Sequence, residues 1–257
     1  FDTADKAVDR WNVFEKHNEH AVSAIPRLEP ERLRITLLGG LEGIGEKNMA
    51  VIEYGNDAIV VDCGFDLSVD LPGVNFAIPA TTYLESIKDK IRAYVITHRN
   101  LDPTGGLPYV VPQYPAPIYG SHFTVGMVKK QFENVQENGI DFEPECIELH
   151  MDNHQRMVIG PFTIEALRIT HSIPDASAII IDTPVGRILD TGDFRLDPEP
   201  LDQMPSDVER LKRAGDEGVL LLMSESTNTR FLGRTPTEHT LQQTFHDLFA
   251  SAQGRIF

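Results

Sequence analysis

Short apolar runs, broken by Gly, Pro, Asn and Asp, organise the chain from residue 33 onward. "LRITLL" (33–38), "MAVIEY" (49–54), "AIVVDC" (58–63) and "RAYVIT" (92–97) are rich in β-branched residues and read as strands. "PIYG" (117–120) is a short strand. Further strands follow at "CIEL" (146–149), "RMVI" (156–159), "FTIEALRIT" (162–170), "SAIIIDT" (177–183), "GRILDTG" (186–192) and "GVLLLMSES" (218–226). Where the period lengthens, helices are predicted. In "SHFTVGMVKKQFENVQEN" (121–138), Phe123, Met127, Val128, Phe132 and Val135 share one helical face, and Ser121 stands where a cap would. Other helices are predicted near Gly105–Val111, over Asp207–Ala214, and over about Pro236–Ala252 with Thr235 or Thr237 near its start. The closing "GRIF" reads as a strand that has only begun.

Residues 1–30 differ in character. They are charged and partly helical in pattern, with Ala7, Trp11, Phe14 and Val22 on a loose stripe that ends at Pro26 and Pro30. This extension is expected to pack on the core or on a partner. The remaining strands come in groups with helices between them. Hairpin-like pairs such as "IIIDTPVGRIL" occur beside helix crossovers. That order predicts an α/β (α+β) fold of two mixed sheets with helices on their outer faces, rather than one doubly wound parallel sheet.

Composition sharpens this picture in three ways. The 257 residues are 41% hydrophobic and 24% charged, ample for a buried core. The balance of 23 basic against 39 acidic residues gives a formal charge of −16, which repels polyanions and argues against broad phosphate contact by this segment alone. A local basic groove, or an RNA-binding surface on a missing segment or a partner, stays open. No apolar run approaches a membrane span and no secretory signal is visible. Because the chain opens on Phe1 rather than Met, preceding residues are expected to be missing. Cys63 and Cys146 lie far apart in strand-like runs, form no CxxC pair, and are expected to be buried reduced thiols of a cytoplasmic protein.

Four polar signals share one context, the end of an apolar strand, where a loop can project a side chain from a rigid sheet edge. They are Asp62 after "AIVV", the turn from His98 to Asp102 after "AYVIT", His171 after "ALRIT", and Asp193 after "GRILDTG". Each alone is an ordinary turn residue or hydrogen-bonded neighbour. As a set they are able to converge on a metal. "GGLEGIGEKN" (39–48) lacks the Lys-Ser/Thr pattern of a phosphate-binding loop and reads as a tight turn near the site. His122, His150 and His154 are expected in surface or capping roles.

The stretches "LLGGLEGIGEKNMAVIEYG", "VVDCG", "IPATTYLE", "AYVITHRNLDPTGGLPYVV", "ITHSIPDASAIIIDTPVGRILDTGDFRLDPEP" and "LLMSESTNTRFLGRTPTE" occur in this order from about Leu33 to the end. In order and spacing they resemble the metallo-β-lactamase fold, and within it the ribonuclease J group of β-CASP RNA-processing nucleases. The resemblance implies an αββα sandwich. It also implies a His-x-His-x-Asp-His turn that supplies ligands to two zinc ions, completed by a later His and Asp. By position His98 matches the first His, Asp102 the Asp, His171 the later His, Asp193 the bridging Asp and Asp62 a supporting Asp. Asn100 and Pro103 stand where two further histidines belong. Ser224 and Asn228, in "SESTN", match a polar turn that faces the family's cleft.

These departures imply a damaged centre. One zinc would keep His98, His171 and Asp193, a viable three-ligand set, while Asn100 is a poor donor. The second would keep only Asp102 and Asp193 and is expected to be empty, so at most one zinc is expected and phosphodiester hydrolysis should be impaired. A structural reading stands beside this one: Asp102 capping a helix that starts at Pro103. The resemblance implies three parts: an extension over 1–30, a metallo-β-lactamase-like domain over 31–250, and the start of a β-CASP domain over 251–257. Three roles stay open. The first is an inactive subunit partnering a nuclease paralogue in a homo- or hetero-oligomer, with RNA reached only through a missing β-CASP domain or a partner. The second is a surviving one-zinc ribonuclease. The third is a docking module without an RNA role.

Overall fold

The computed structural model describes residues 29–41, 43, 45–136 and 139–256. Most of the extension expected over 1–30 therefore lies outside the described residues, as does Phe257. Among these residues eleven strands form two sheets. The first has the order β1 (Leu33–Gly39), β2 (Met49–Tyr54), β3 (Asp57–Val61), β4 (Ile91–Val95), β5 (Ile118–Gly120) and β6 (Cys146–Glu148). Its first three strands are antiparallel, and the pairs from β3 to β6 are parallel. The second runs β11 (Leu221–Met223), β10 (Gly186–Asp190), β9 (Ser177–Thr183), β8 (Phe162–Arg168) and β7 (Arg156–Ile159). It is antiparallel except for the β10–β11 pair. The two mixed sheets are as the sequence predicts.

The central strands of each sheet are covered on both faces, which is why they read as almost continuous apolar runs. Successive side chains point to opposite faces. Ile52, Ile59, Val61 and Val95 meet Phe162, Ile164, Ile179, Ile181 and Ile188 between the sheets. Their alternates Val51, Val60 and Tyr94 face helices α1 (Thr82–Ile87), α3 (Leu107–Val110) and α4 (His122–Gln136), against Leu84, Leu107, Val128 and Phe132. On the far side, Leu167, Ile180 and Leu189 pack on Ala214 of α5 (Val208–Glu217). The layers are therefore helix, sheet, sheet, helix. Helix α6 (Glu238–Ser251) buries none of its residues. It is capped by Thr237, whose side chain accepts from Thr240 N, and tied to the sandwich where Asp197 Oδ2 accepts from Glu238 N at 2.8 Å.

Several elements differ from expectation. Helix α1 falls in "IPATTYLE", where no helix is predicted; it forms because Tyr83, Leu84 and Ile87 are drawn into the core. The helix expected near Gly105–Val111 is two short ones, α2 (Leu101–Thr104) and α3, joined through Gly105 and Gly106. Gly254–Ile256 form no strand, having no partner strand to pair with among the described residues. Cys63 is buried but Cys146 only partly so; both are free. Ser121 does cap α4, with its Oγ accepting from Thr124 N at 3.4 Å. Among the described residues no helix is long and apolar enough to cross a membrane.

One buried ion pair joins α5 to the second sheet. Arg210 donates from Nε and Nη2 to the two oxygens of Glu165, each at 2.9 Å, and both residues are buried. Removing the arginine strands a carboxylate in the protein. Arg210→Ala is expected to destabilise the fold by about 3–5 kcal/mol. Urea unfolding checks this, and a loss well under 1 kcal/mol would contradict the assignment.

Candidate metal centre

Of the four strand-end signals, His98, His171 and Asp193 come together, and Asp62 stands behind them on Thr97. Asp62 follows β3, Thr97 and His98 follow β4, His171 follows β8, and Asp193 follows β10. The backbone then fixes where each side chain points. Asp62 leaves its strand at a φ of 58°, a left-handed conformation that Asp tolerates better than most residues. Its carboxylate thereby turns under the next strand, where Oδ1 accepts from Thr97 N at 2.9 Å. The turn carrying Asn100–Pro103 is zipped to the exit of β3. Cys63 N donates to Pro103 O at 2.7 Å, Phe65 N to Leu101 O at 2.8 Å, and Asn48 N to Asp102 O at 3.0 Å. The approach is so close that a Cβ on Gly64 would lie 1.3 Å from Asp102 O.

His98, His171 and Asp193 each present one ligand atom, all within 4.8 Å of one another. Asp193 Oδ2 is 3.8 Å from both His98 Nε2 and His171 Nε2. These separations are too long for hydrogen bonds. The imidazole rings stand edge-on, with centroids 5.0 Å apart. His98 is buried, and its Nε2 has no hydrogen-bond partner. Burial, then the neighbouring His171, holds its pKa down at about 3. Burial also lowers His171, against the pull of Glu225. Neutral imidazoles are the form that binds metal, so these contacts are not ion pairs.

The acids are raised instead. Burial, then Asp102, Glu225 and Asp190, pushes Asp193 up to about 7. Burial lifts Asp190 to about 6. Asp62 is raised well above the usual range by burial and by Asp190, against the hydrogen bonds from Thr97. Asp102 is raised by burial. Crowded carboxyls beside two neutral imidazoles form a site that a cation would relieve.

The residues fit one metal ion better than two. The orphaned Nε2 of His98, with His171 and Asp193, is a three-ligand set of the kind zinc accepts. Asp102 lies outside that set. Asn100 does not join it either; its Nδ2 sits 3.1 Å from His171 Nε2 and occupies the atom a metal would need. Pro103 is buried in α2 and has no donor to offer.

The capping role expected for Asp102 is not what the structure shows. Helix α2 starts at Leu101 rather than Pro103. Asn100 is its N-cap and makes no side-chain cap bond. The Asp102 carboxylate is taken by Asn48, whose Nδ2 donates to Oδ2 at 3.3 Å. Ser224 lines a cavity of about 440 Å³ beside the cluster, with Asp62, Asp190, Asp193 and Glu225. Asn228 does not line it; it is a turn residue at a φ of 62°. The glycine-rich stretch contributes Gly39, Gly40, Gly45 and Asn48 to the same wall. His122 and His150 sit on Glu148, and His154 lies between Glu165 and Asp207, all away from the cluster.

Sequence reasoning passed over Thr97, Asn48, Asp190 and Glu225. Thr97 and Asp190 carried a signal, since one precedes His98 and the other closes the strand that Asp193 follows. Asn48 and Glu225 lay inside two stretches already placed near the site, "GGLEGIGEKN" and "SESTN", but nothing singled them out within those stretches.

Comparison with known proteins agrees with this fold. A family model described as the metallo-beta-lactamase superfamily matches residues 43–225. The chain belongs to that superfamily. Within it, the chain is similar to "Ribonuclease J" of Helicobacter pylori, at 41% identity over 225 residues, 87% of this chain and 32% of that protein. It is also similar to "Ribonuclease J" of Thermus thermophilus, at 37% identity over 88% of this chain and 40% of that protein. The chain thus spans about a third to two-fifths of the length of these relatives. A solved structure from Enterococcus faecalis V583, titled as a protein of unknown function, shares the fold. Its TM-score is 0.56 at 19% identity, over 85% of this chain and 58% of that one.

The raised acids give a pH dependence whose sign can be worked out. Asp190 and Asp193 bind protons more tightly folded than unfolded. Below their ordinary value of 3.8 both states are protonated and neither group matters. Between 3.8 and about 7 the unfolded chain releases these protons while the folded chain still holds them. The two carboxyls therefore contribute a loss of metal-free stability as pH rises, opposite in sign to the gain from the neutral imidazoles of His98 and His171. Denaturant unfolding in a chelator isolates the Asp193 share as the stability of the parent minus that of Asp193→Asn, a difference that should fall across that range. A difference that stays level or rises from pH 4 to 7 would contradict the assignment.

Proposed function

We propose that this chain is a ribonuclease J-like RNA-processing protein whose hydrolytic centre is reduced to one metal position, and that it acts as a structural or regulatory subunit rather than the cutting one. The observation that carries this reading is the Asn100 amide on His171 Nε2, at 3.1 Å. A neutral amide is a weak donor to a borderline metal, and here it competes for a ligand's lone pair. Two-metal hydrolysis holds the attacking and leaving oxygens between two ions. On this reading His98, His171 and Asp193 would hold zinc once Asn100 moved aside, and Asp102 beside Pro103 could not hold a second. Bound zinc would supply Lewis acidity and an acidified water.

The cavity supports the same reading. Among the described residues its lining carries Asp62, Asp190, Asp193 and Glu225 and no lysine, arginine or histidine. A phosphodiester entering unaided would meet like charge. RNA contact on this reading belongs to a β-CASP half, beginning around residues 251–257 after a domain over 31–250, or to a nuclease paralogue in a homo- or hetero-oligomer.

A second reading, a one-zinc ribonuclease, draws on the partnerless Nε2 of His98. Metal content and activity of the purified chain separate the two. The subunit reading expects at most one tightly bound ion per chain and no cleavage of 5′-monophosphorylated RNA. It also expects the Asn100→His, Pro103→His double variant to hold more metal than the parent. Two tight ions in the parent would overturn it, as would RNA cleavage that vanishes in His171→Ala; with a single ion bound, the latter result would establish the second reading.

A further inference from the structure

We propose that Thr97 is a positioning residue: braced on the Asp62 carboxylate, it holds His98 in the tautomer protonated at Nδ1 and so aims the lone pair of Nε2 at Asp193 and His171. The inference rests on donor and acceptor counting and holds whether or not the chain cleaves RNA.

Thr97 is completely buried. Its amide donates to Asp62 Oδ1 at 2.9 Å. Its Oγ1 lies 2.9 Å from Asp62 Oδ2 and 3.1 Å from Oδ1. The same Oγ1 lies 2.9 Å from His98 Nδ1. A hydroxyl has one hydrogen to give. The assignment requires Asp62 in its ionised form, which both Thr97 bonds favour against burial and Asp190, and a carboxylate can only accept. With that hydrogen directed to Asp62, Oγ1 can meet Nδ1 only as an acceptor. The imidazole proton must then sit on Nδ1, and Nε2 is left bare. That atom is the one with no hydrogen-bond partner, 3.8 Å from Asp193 Oδ2.

The threonine cannot turn away from this duty. Its carbonyl accepts from Ser177 N at 2.9 Å and from Ser177 Oγ at 2.7 Å, which pins the residue between the sheets. On the other side a Cβ on Gly192 would lie 3.1 Å from Thr97 Cβ. A carboxylate that orients an imidazole and fixes its tautomer is a recurrent device, and an amide in its place can leave geometry intact while inverting the proton pattern. Here the device works through an intervening hydroxyl. Asp62→Asn would present an N–H to Oγ1 in place of an oxygen, so the Thr97 hydrogen would pass to Nδ1 and the His98 proton would move to Nε2.

Nitrogen-15 histidine spectra of the whole chain, chelator-treated at pH 8, test this directly. The expected result is His98 protonated at Nδ1 in the parent and in Thr97→Ser, and at Nε2 in Asp62→Asn. Zinc titration should show Thr97→Val and Asp62→Asn weakened about 10–100-fold, with Thr97→Ser near the parent. Two results would overturn the proposal: an Nε2 proton on His98 in the parent, or Asp62→Asn leaving both tautomer and zinc affinity unchanged. Should Thr97→Val fail to fold, the parent, Thr97→Ser and Asp62→Asn spectra still decide.

Discussion

The hydrogen bonds around Thr97 are the constraint on which the rest of this molecule depends. The residue takes two bonds from Ser177 of the second sheet, gives its amide to Asp62 at the end of β3, and touches His98 through its hydroxyl. One side chain and one peptide unit thus join both sheets to the cluster. Buried polar groups of this kind are costly when unpaired and rigid when paired. Here every polar atom of Thr97 has a partner. The unmatched polar atom beside it is His98 Nε2, which faces the other two members of the cluster.

Electrostatics at the centre follow from the same burial. Asp62, Asp190 and Asp193 are crowded on one wall of the cavity, and among the described residues no basic side chain lines it beside them. Their protons are held more tightly for that reason, while both imidazoles lose theirs. Such a constellation suits a cation and resists a phosphate. Asn100 modifies it by occupying His171, and Asp102 is drawn off by Asn48. The turn keeps its backbone bonds to Cys63 and Phe65 even though two of its side chains cannot serve as good ligands.

Much of the fold was legible because the central strands of both sheets are buried on both faces, which leaves apolar runs such as Ser177–Thr183 standing clear of their turns. The strand-end positions of His98, His171 and Asp193 were legible for a related reason: rigid edges end in polar residues. What local sequence did not reveal is settled by distant partners. Thr82–Ile87 is helical because the core takes Tyr83, Leu84 and Ile87, not because six residues favour it. Asp102 had the local chemistry of a cap, yet Asn48, 54 residues away, claims it. Asp190 was not singled out, and its weight in the site comes from burial that no local pattern encodes.

On the proposed reading one ion position remains, and Asp102 beside Pro103 cannot hold a second ion. Anomalous diffraction from crystals of this chain grown with zinc puts that to the sharpest test. A single peak bounded by His98, His171 and Asp193 is expected, with the Asn100 side chain displaced from His171. A second peak of comparable height at Asp102, or a fully occupied ion with Asn100 still bonded to His171 Nε2, would contradict it.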